Sequence, residues 1–199
     1  GTLNCLQPES TNRDGVFSLP ISPEYQCITK ATFRIIKPGG GRAPMYCQVP
    51  LDPASAVTQL TFTDPFVLYA GIPALDPPEN CDSRTAQDVS FPTGFVLNMI
   101  PWDFAGDCTA VGMRKVATDE RGLCFLEGQE PPTHLYAFTP DSELYSDSDF
   151  RFGNDDNLAP GTTVDVFILG GLGCKLNDET IPEGAWTQIG TATVNADGS

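Results

Sequence analysis

The chain has 199 residues and a mass of 21.4 kDa, enough for one large β domain or two small ones with a core that needs no metal. Lys and Arg number 11 against 26 Asp and Glu, for a net charge of −15, which repels phosphate backbones and anionic lipid and excludes nucleic-acid binding and a basic membrane anchor. Gly 19, Pro 18 and only 19% charged residues indicate many turns and few surface helices, while 40% hydrophobic residues exclude a disordered chain.

At the N-terminus, Gly1-Thr2-Leu3-Asn4 before Cys5 is a poor lipoprotein signal, and no apolar leader remains, so the chain reads as a mature product. No stretch reaches the ~18 apolar residues of a membrane-spanning helix. The first clear strand has Cys27, Thr29, Ala31, Phe33 and Ile35 on one face, with Lys30 and Arg34 on the other. It stops at Lys37-Pro38-Gly39-Gly40-Gly41 and returns through Met45 to Val49, which pairs Cys27 with Cys47 across the hairpin. Further strands are expected at Val57 to Thr63 and Phe66 to Ala70. A helical turn or two is the reading for Ser83 to Val89. Strands resume at Phe95 to Ile100, Ala110 to Val116, Cys124 to Glu127, His134 to Phe138, Thr163 to Leu169 and Thr187 to Val194.

Short strands separated by Pro, Gly and Asp clusters describe an all-β fold. The expectation is an antiparallel β-sandwich, jelly-roll or Ig-like, stabilised by disulfides and with little helix. It spans 1–199 as a single domain, with room for a boundary near 128–133. Seven cysteines without a C-x-x-C and a single histidine do not make a metal-ligand pattern. They read as a disulfide set formed in an oxidising compartment, which places the protein outside the cell, at the cell surface or in the periplasm. Besides Cys27 and Cys47, Cys108 and Cys124 are bridge candidates. The odd count leaves one thiol over, and Cys5 is its candidate.

No catalytic motif emerges. His134 is the only histidine, lies within an expected strand and reads as an exposed strand residue; no serine sits in a G-x-S-x-G elbow. Gly170-Gly171-Leu172-Gly173 follows an apolar strand, but no helix follows it, so it reads as a turn and not as a nucleotide loop. Asp outnumbers Glu 17 to 9, and Asp forms turns, so the acidity belongs to loops. The densest stretch runs from Asp141 to Asn157 and offers oxygen ligands for calcium, with Asp147, Asp149, Asp155 and Asp156 as the candidate set. Its register departs from an EF-hand, because Arg151 falls on the third ligand position and no glutamate closes the loop, and a solvated acidic loop is the competing reading. Trp102, at a strand-to-loop junction, is the aromatic expected to be exposed and to contact carbohydrate.

The last third, about 134–199, has a recurrent cadence. An Asn157-Leu158-Ala159-Pro160-Gly161-Thr162 turn leads to a strand with Val164, Val166 and Ile168 alternating inward. A variable loop follows, then Trp186-Thr-Gln-Ile189-Gly190-Thr191-Ala-Thr193-Val194 and an Asp197-Gly198-Ser199 turn. This resembles β-sandwich modules of large bacterial cell-surface and secreted proteins, the Rhs-repeat and teneurin-like chains. The resemblance implies an extracellular, non-catalytic structural module in adhesion or assembly, such as a filament or accessory subunit. In those relatives the final turn leads to another strand, so the expected partner is a protein, or a copy of the chain, added at a sheet edge. The alternative is a calcium-assisted carbohydrate-binding module, in which calcium would be the one cofactor.

Overall fold

The computed structural model describes residues 10–18, 30–37, 41–50, 61–62, 64–119, 123–126 and 130–196. Two compact units emerge, residues 1–31 with 50–60, and residues 32–49 with 61–199. In the first, the described part is mainly a turn in which the Asn12 Oδ1 accepts from the backbone N–H groups of Asp14 and Val16, each at 2.9 Å. Asn tolerates this because its short side chain mimics a turn of backbone. Residues 128 and 129 of the expected boundary, and Asp197-Gly198-Ser199, lie outside the described residues.

The architecture is all-β and antiparallel, as the alternation pattern requires. The strands are β1 (Lys30–Ile35), β2 (Met45–Pro50), β3 (Ile72–Pro73), β4 (Gln87–Ser90), β5 (Val96–Met99) and β6 (Gly112–Val116). They continue as β7 (Leu135–Thr139), β8 (Asp149–Arg151), β9 (Thr163–Leu169), β10 (Lys175–Leu176), β11 (Glu179–Thr180) and β12 (Trp186–Thr193). Two three-stranded sheets, β3-β6-β7 and β4-β5-β8, accompany the two-stranded pairs β1-β2, β10-β11 and β12-β9.

The two larger sheets share a core, which makes this part a sandwich. Val89 from β4, Leu97 and Met99 from β5, and Met113 from β6 are buried in one cluster with Phe91, Phe95, Cys108 and Val111. Phe95 is its hub. Its ring lies 5.1 Å from Tyr136, 5.4 Å from Phe138, 5.7 Å from Phe150 and 6.4 Å from Phe152, so it touches aromatics of both sheets. These are the offset and edge-on distances that aromatic quadrupoles favour. Alternation along β6 and β7 sends Val116, Leu135 and Ala137 to the other face, where they meet Met45, Cys47, Leu123 and Trp186 in a second core. The β3-β6-β7 sheet is therefore covered on both faces.

Each core carries one disulfide, Cys81–Cys108 with Cα atoms 5.7 Å apart and Cys47–Cys124 at 5.4 Å. This corrects the one pairing expected from the sequence. Cys47 joins Cys124 and not Cys27, which lies outside the described residues, while Cys108 and Cys124, candidates without an assigned partner, are both bridged, Cys108 to Cys81. Hairpin proximity along the chain suggested the first pairing, but strand β2 turns the Cys47 side chain into the second core, onto the 3-10 turn Cys124–Leu126. Cys174 is a free thiol, and Cys5 lies outside the described residues.

Local readings change in three further places. Ser83 to Val89 holds strand β4 where a helical turn was expected, because its hydrogen-bond partner is β5, in register from Gln87 opposite Met99 to Ser90 opposite Val96. Cys124 to Glu127 was expected as a strand, and Cys124–Leu126 is a 3-10 turn. Phe66 to Ala70 forms no strand, yet Phe66, Leu68 and Tyr69 pack against the second core. Of Val57 to Thr63, only residues 61 and 62 are described, and neither is in a strand.

Candidate functional site

The acidic stretch is divided among several partners. Asp149 opens β8, opposite Asn98 of β5. Asp155 pairs with Lys115 of β6, and Asp156 Oδ2 lies 3.0 Å from His134 Nε2, just before β7. The hydrogen bond from Lys115 holds the Asp155 carboxyl below the usual carboxylate range, and the same contact raises the lysine. Burial pushes the nearby Tyr136 phenol up, and the two carboxylates add to the shift. His134 is not the exposed residue expected from its strand position. Its side chain is 18% exposed and its Nδ1 is buried without a hydrogen-bond partner. The pair fastens the loop after β8 to the β3-β6-β7 sheet. Among the described residues no group of three or more His, Cys, Asp or Glu side chains converges as a metal site. Asp147 is exposed, two residues before β8.

Trp102 lies in the 3-10 turn Pro101–Asp103 and is 52% exposed. Its backbone N–H donates to the Ser83 carbonyl at 3.0 Å. The Arg84 guanidinium stacks 4.5 Å from the ring centroid, a cation–π contact with no signature in the sequence.

Several exposed apolar side chains lie on the ribbon of β9 and β12. Its register runs from Trp186 opposite Leu169 to Thr193 opposite Thr163, with a bulge between Gln188 and Gly190. One end is anchored. Trp186 Nε1 donates to the Phe125 carbonyl at 3.0 Å, and its ring meets Phe125 edge-on at 6.0 Å. The Gly170-Gly171 turn beside it is explained by close approach. A Cβ on Gly170 would collide with the Pro182 carbonyl, and one on Gly171 would lie 3.3 Å from the Tyr46 hydroxyl. That hydroxyl accepts from Leu172 N–H at 3.1 Å and donates to Asp141 at 3.2 Å, while Arg34 binds the same carboxylate at 2.8 Å. The glycines form a packed turn, consistent with the turn read from the sequence.

Away from this anchor the ribbon is uncovered. Phe167 is 50% exposed, with Ile168 and Ile189 also exposed, and Val164 and Val166 are only half-buried. The expected inward alternation is present in direction, but among the described residues no second layer covers Ile168. Thr162 C=O accepts from Val194 N–H at 2.9 Å, and Gly170 N–H donates to Ala185 C=O at 2.9 Å. Backbone polar groups alternate sides along a strand, so the even-numbered residues of β9 face β12. Thr163, Asp165, Phe167 and Leu169 turn their N–H and C=O groups to the opposite edge. Among the described residues no strand lies there.

No helix among the described residues is long and apolar enough to cross a membrane. No family model, no curated protein and no solved structure matches this chain.

Proposed function

We propose that this chain is a non-catalytic extracellular module of a bacterial cell-surface protein, with a structural role exercised through protein contact at the β9–β12 ribbon. The observation that carries this reading is the ribbon itself, two strands with exposed Phe167, Ile168 and Ile189. A two-stranded ribbon is marginal in water by itself, and an apolar one gains most from a neighbour that removes it from solvent. The two disulfides support an oxidising compartment, and the cadence of residues 157–194 resembles modules of bacterial surface proteins.

The test places a photo-crosslinking amino acid at position 167 or 189, and as a control at Leu75, which is 69% exposed away from the ribbon. The protein is irradiated on its producing cells. Discrete adducts from 167 and 189 but not from 75 are the expected result. Adducts from 75 alone, or equal labelling from all three, would refute the ribbon as the working surface.

A further inference from the structure

Resting on that reading, we infer that the occupant of the outer edge of β9, where no strand lies among the described residues, is a second copy of this chain, its β9 added antiparallel to the first to give a continuous β12-β9-β9-β12 sheet. Three observations lead there.

The first is charge. Residues 161–170 and 185–194 contain one charged side chain, Asp165, in a chain that is 19% charged and carries −15. Two copies repel each other over most of their surface, and the ribbon is where they can approach with least repulsion. The second is the edge itself. Natural edges are blunted by charged side chains, Pro or a bulge; β9 has no Lys, Pro or bulge, since the bulge at Gln188/Gly190 is on β12, and its single charge, Asp165, is engaged by Gln188 of its own ribbon. The third is register. With a two-fold axis at Val166, Asp165 faces the partner's Phe167, and Thr163 faces the partner's Leu169. All four outward-facing residues of each strand then pair, giving about eight backbone hydrogen bonds. A register with Asp165 opposite the partner's Asp165 sets like charges against each other and is disfavoured. The two-fold arrangement uses one patch on both copies and closes on itself, so the product is a dimer. The Asp165 carboxylate keeps a hydrogen-bond donor within its own ribbon, Gln188 Nε2 at 2.8 Å.

Sedimentation velocity of the purified full chain tests this, with amide hydrogen exchange at low and high concentration. A reversible dimer is expected that tightens as salt screens the repulsion, with exchange slowing at Thr163, Asp165, Phe167 and Leu169. Phe167→Pro removes an outward N–H together with the ring, whereas Phe167→Ser removes only the ring, so Pro should weaken the dimer at least about tenfold more than Ser. In a Cys174→Ser background, Val166→Cys should form a cross-dimer disulfide, since facing non-hydrogen-bonded pairs have Cα atoms about 4.5 Å apart. Val164→Cys should not, because its copies lie several residues apart.

A chain that stays monomeric to about 1 mM at roughly 0.3 M salt overturns self-pairing and leaves the ribbon reading to the crosslinking result. A dimer with equal Pro and Ser effects and no Val166→Cys bridge also overturns edge pairing, while showing that the ribbon associates through its faces. A dimer insensitive to every ribbon change counts against both.

Discussion

Replacing Phe95 with alanine removes the ring on which both sheets of the sandwich converge. Phe95 is 4% exposed, so the change forfeits nearly the full burial of the ring, about 2 to 3 kcal/mol at ~25 cal/mol per Å2. A cavity of about 100 Å3 that failed to collapse would add about 2.4 kcal/mol at ~24 cal/mol per Å3. Partial collapse puts the expected loss at about 3 to 5 kcal/mol. Phe95→Leu separates the parts of this sum. It keeps most of the apolar volume but loses the stacking on Phe150 and Phe152 and the tilted and edge contacts to Tyr136 and Phe138. Its cost should be about 1 to 2 kcal/mol. Urea unfolding with intact disulfides measures both, as midpoint shifts at unchanged slope. A loss below about 1.5 kcal/mol for alanine, or equal losses for leucine and alanine, would refute Phe95 as the element joining the sheets.

Removing the bridges should rank by loop length. Cys47–Cys124 spans 77 residues and encloses Cys81–Cys108, which spans 27. The loop relation gives about 4.5 and 3.6 kcal/mol, and nesting shortens the outer loop and narrows the gap. Double Cys→Ala variants compared by denaturant unfolding test this, and an inner pair costing over about 1 kcal/mol more than the outer would contradict the entropic account. Acid stability should depend on surface carboxylates whose folded pKa is depressed. Asp88 is lowered by Asn98 and then by Arg151, and Asp107 by Thr109. Such groups bind more protons in the unfolded chain, so their contribution is present above the unfolded value near about 4 and is lost as pH falls through the folded one. Asp88→Asn and Asp107→Asn should each flatten the fall in Tm on acidification, and an acid limb unchanged in both variants would sink this assignment.

What could be read from the residues was local and periodic. Alternation located β1, β2, β5, β6, β7, β9 and β12 to within a few residues, because successive side chains of a strand point to opposite faces whatever its partners are. The turns at Pro160-Gly161 and at Gly170-Gly171 followed from turn chemistry, whereas the close packing of Gly170 and Gly171 against Pro182 and Tyr46 did not. Strands β3, β4, β8, β10 and β11 are two to four residues long. They carry too little pattern to stand out, and only their hydrogen-bonded neighbours make them strands.

The sites were less legible, since each depends on side chains far apart in sequence. Lys115 and Asp155, His134 and Asp156, and Arg84 over Trp102 acquire their meaning from which surfaces the sheets bring together. The sequence alone determined the class: an acidic, turn-rich β chain whose dispersed cysteines suit disulfides. Tertiary structure decided which cysteines meet, which carboxylates are already paired and which strand edges have no partner among the described residues. The reason is that composition and periodicity act through neighbours in the chain, while disulfide partners, ion pairs and unpaired edges are settled by contacts between segments that the sequence holds dozens of residues apart.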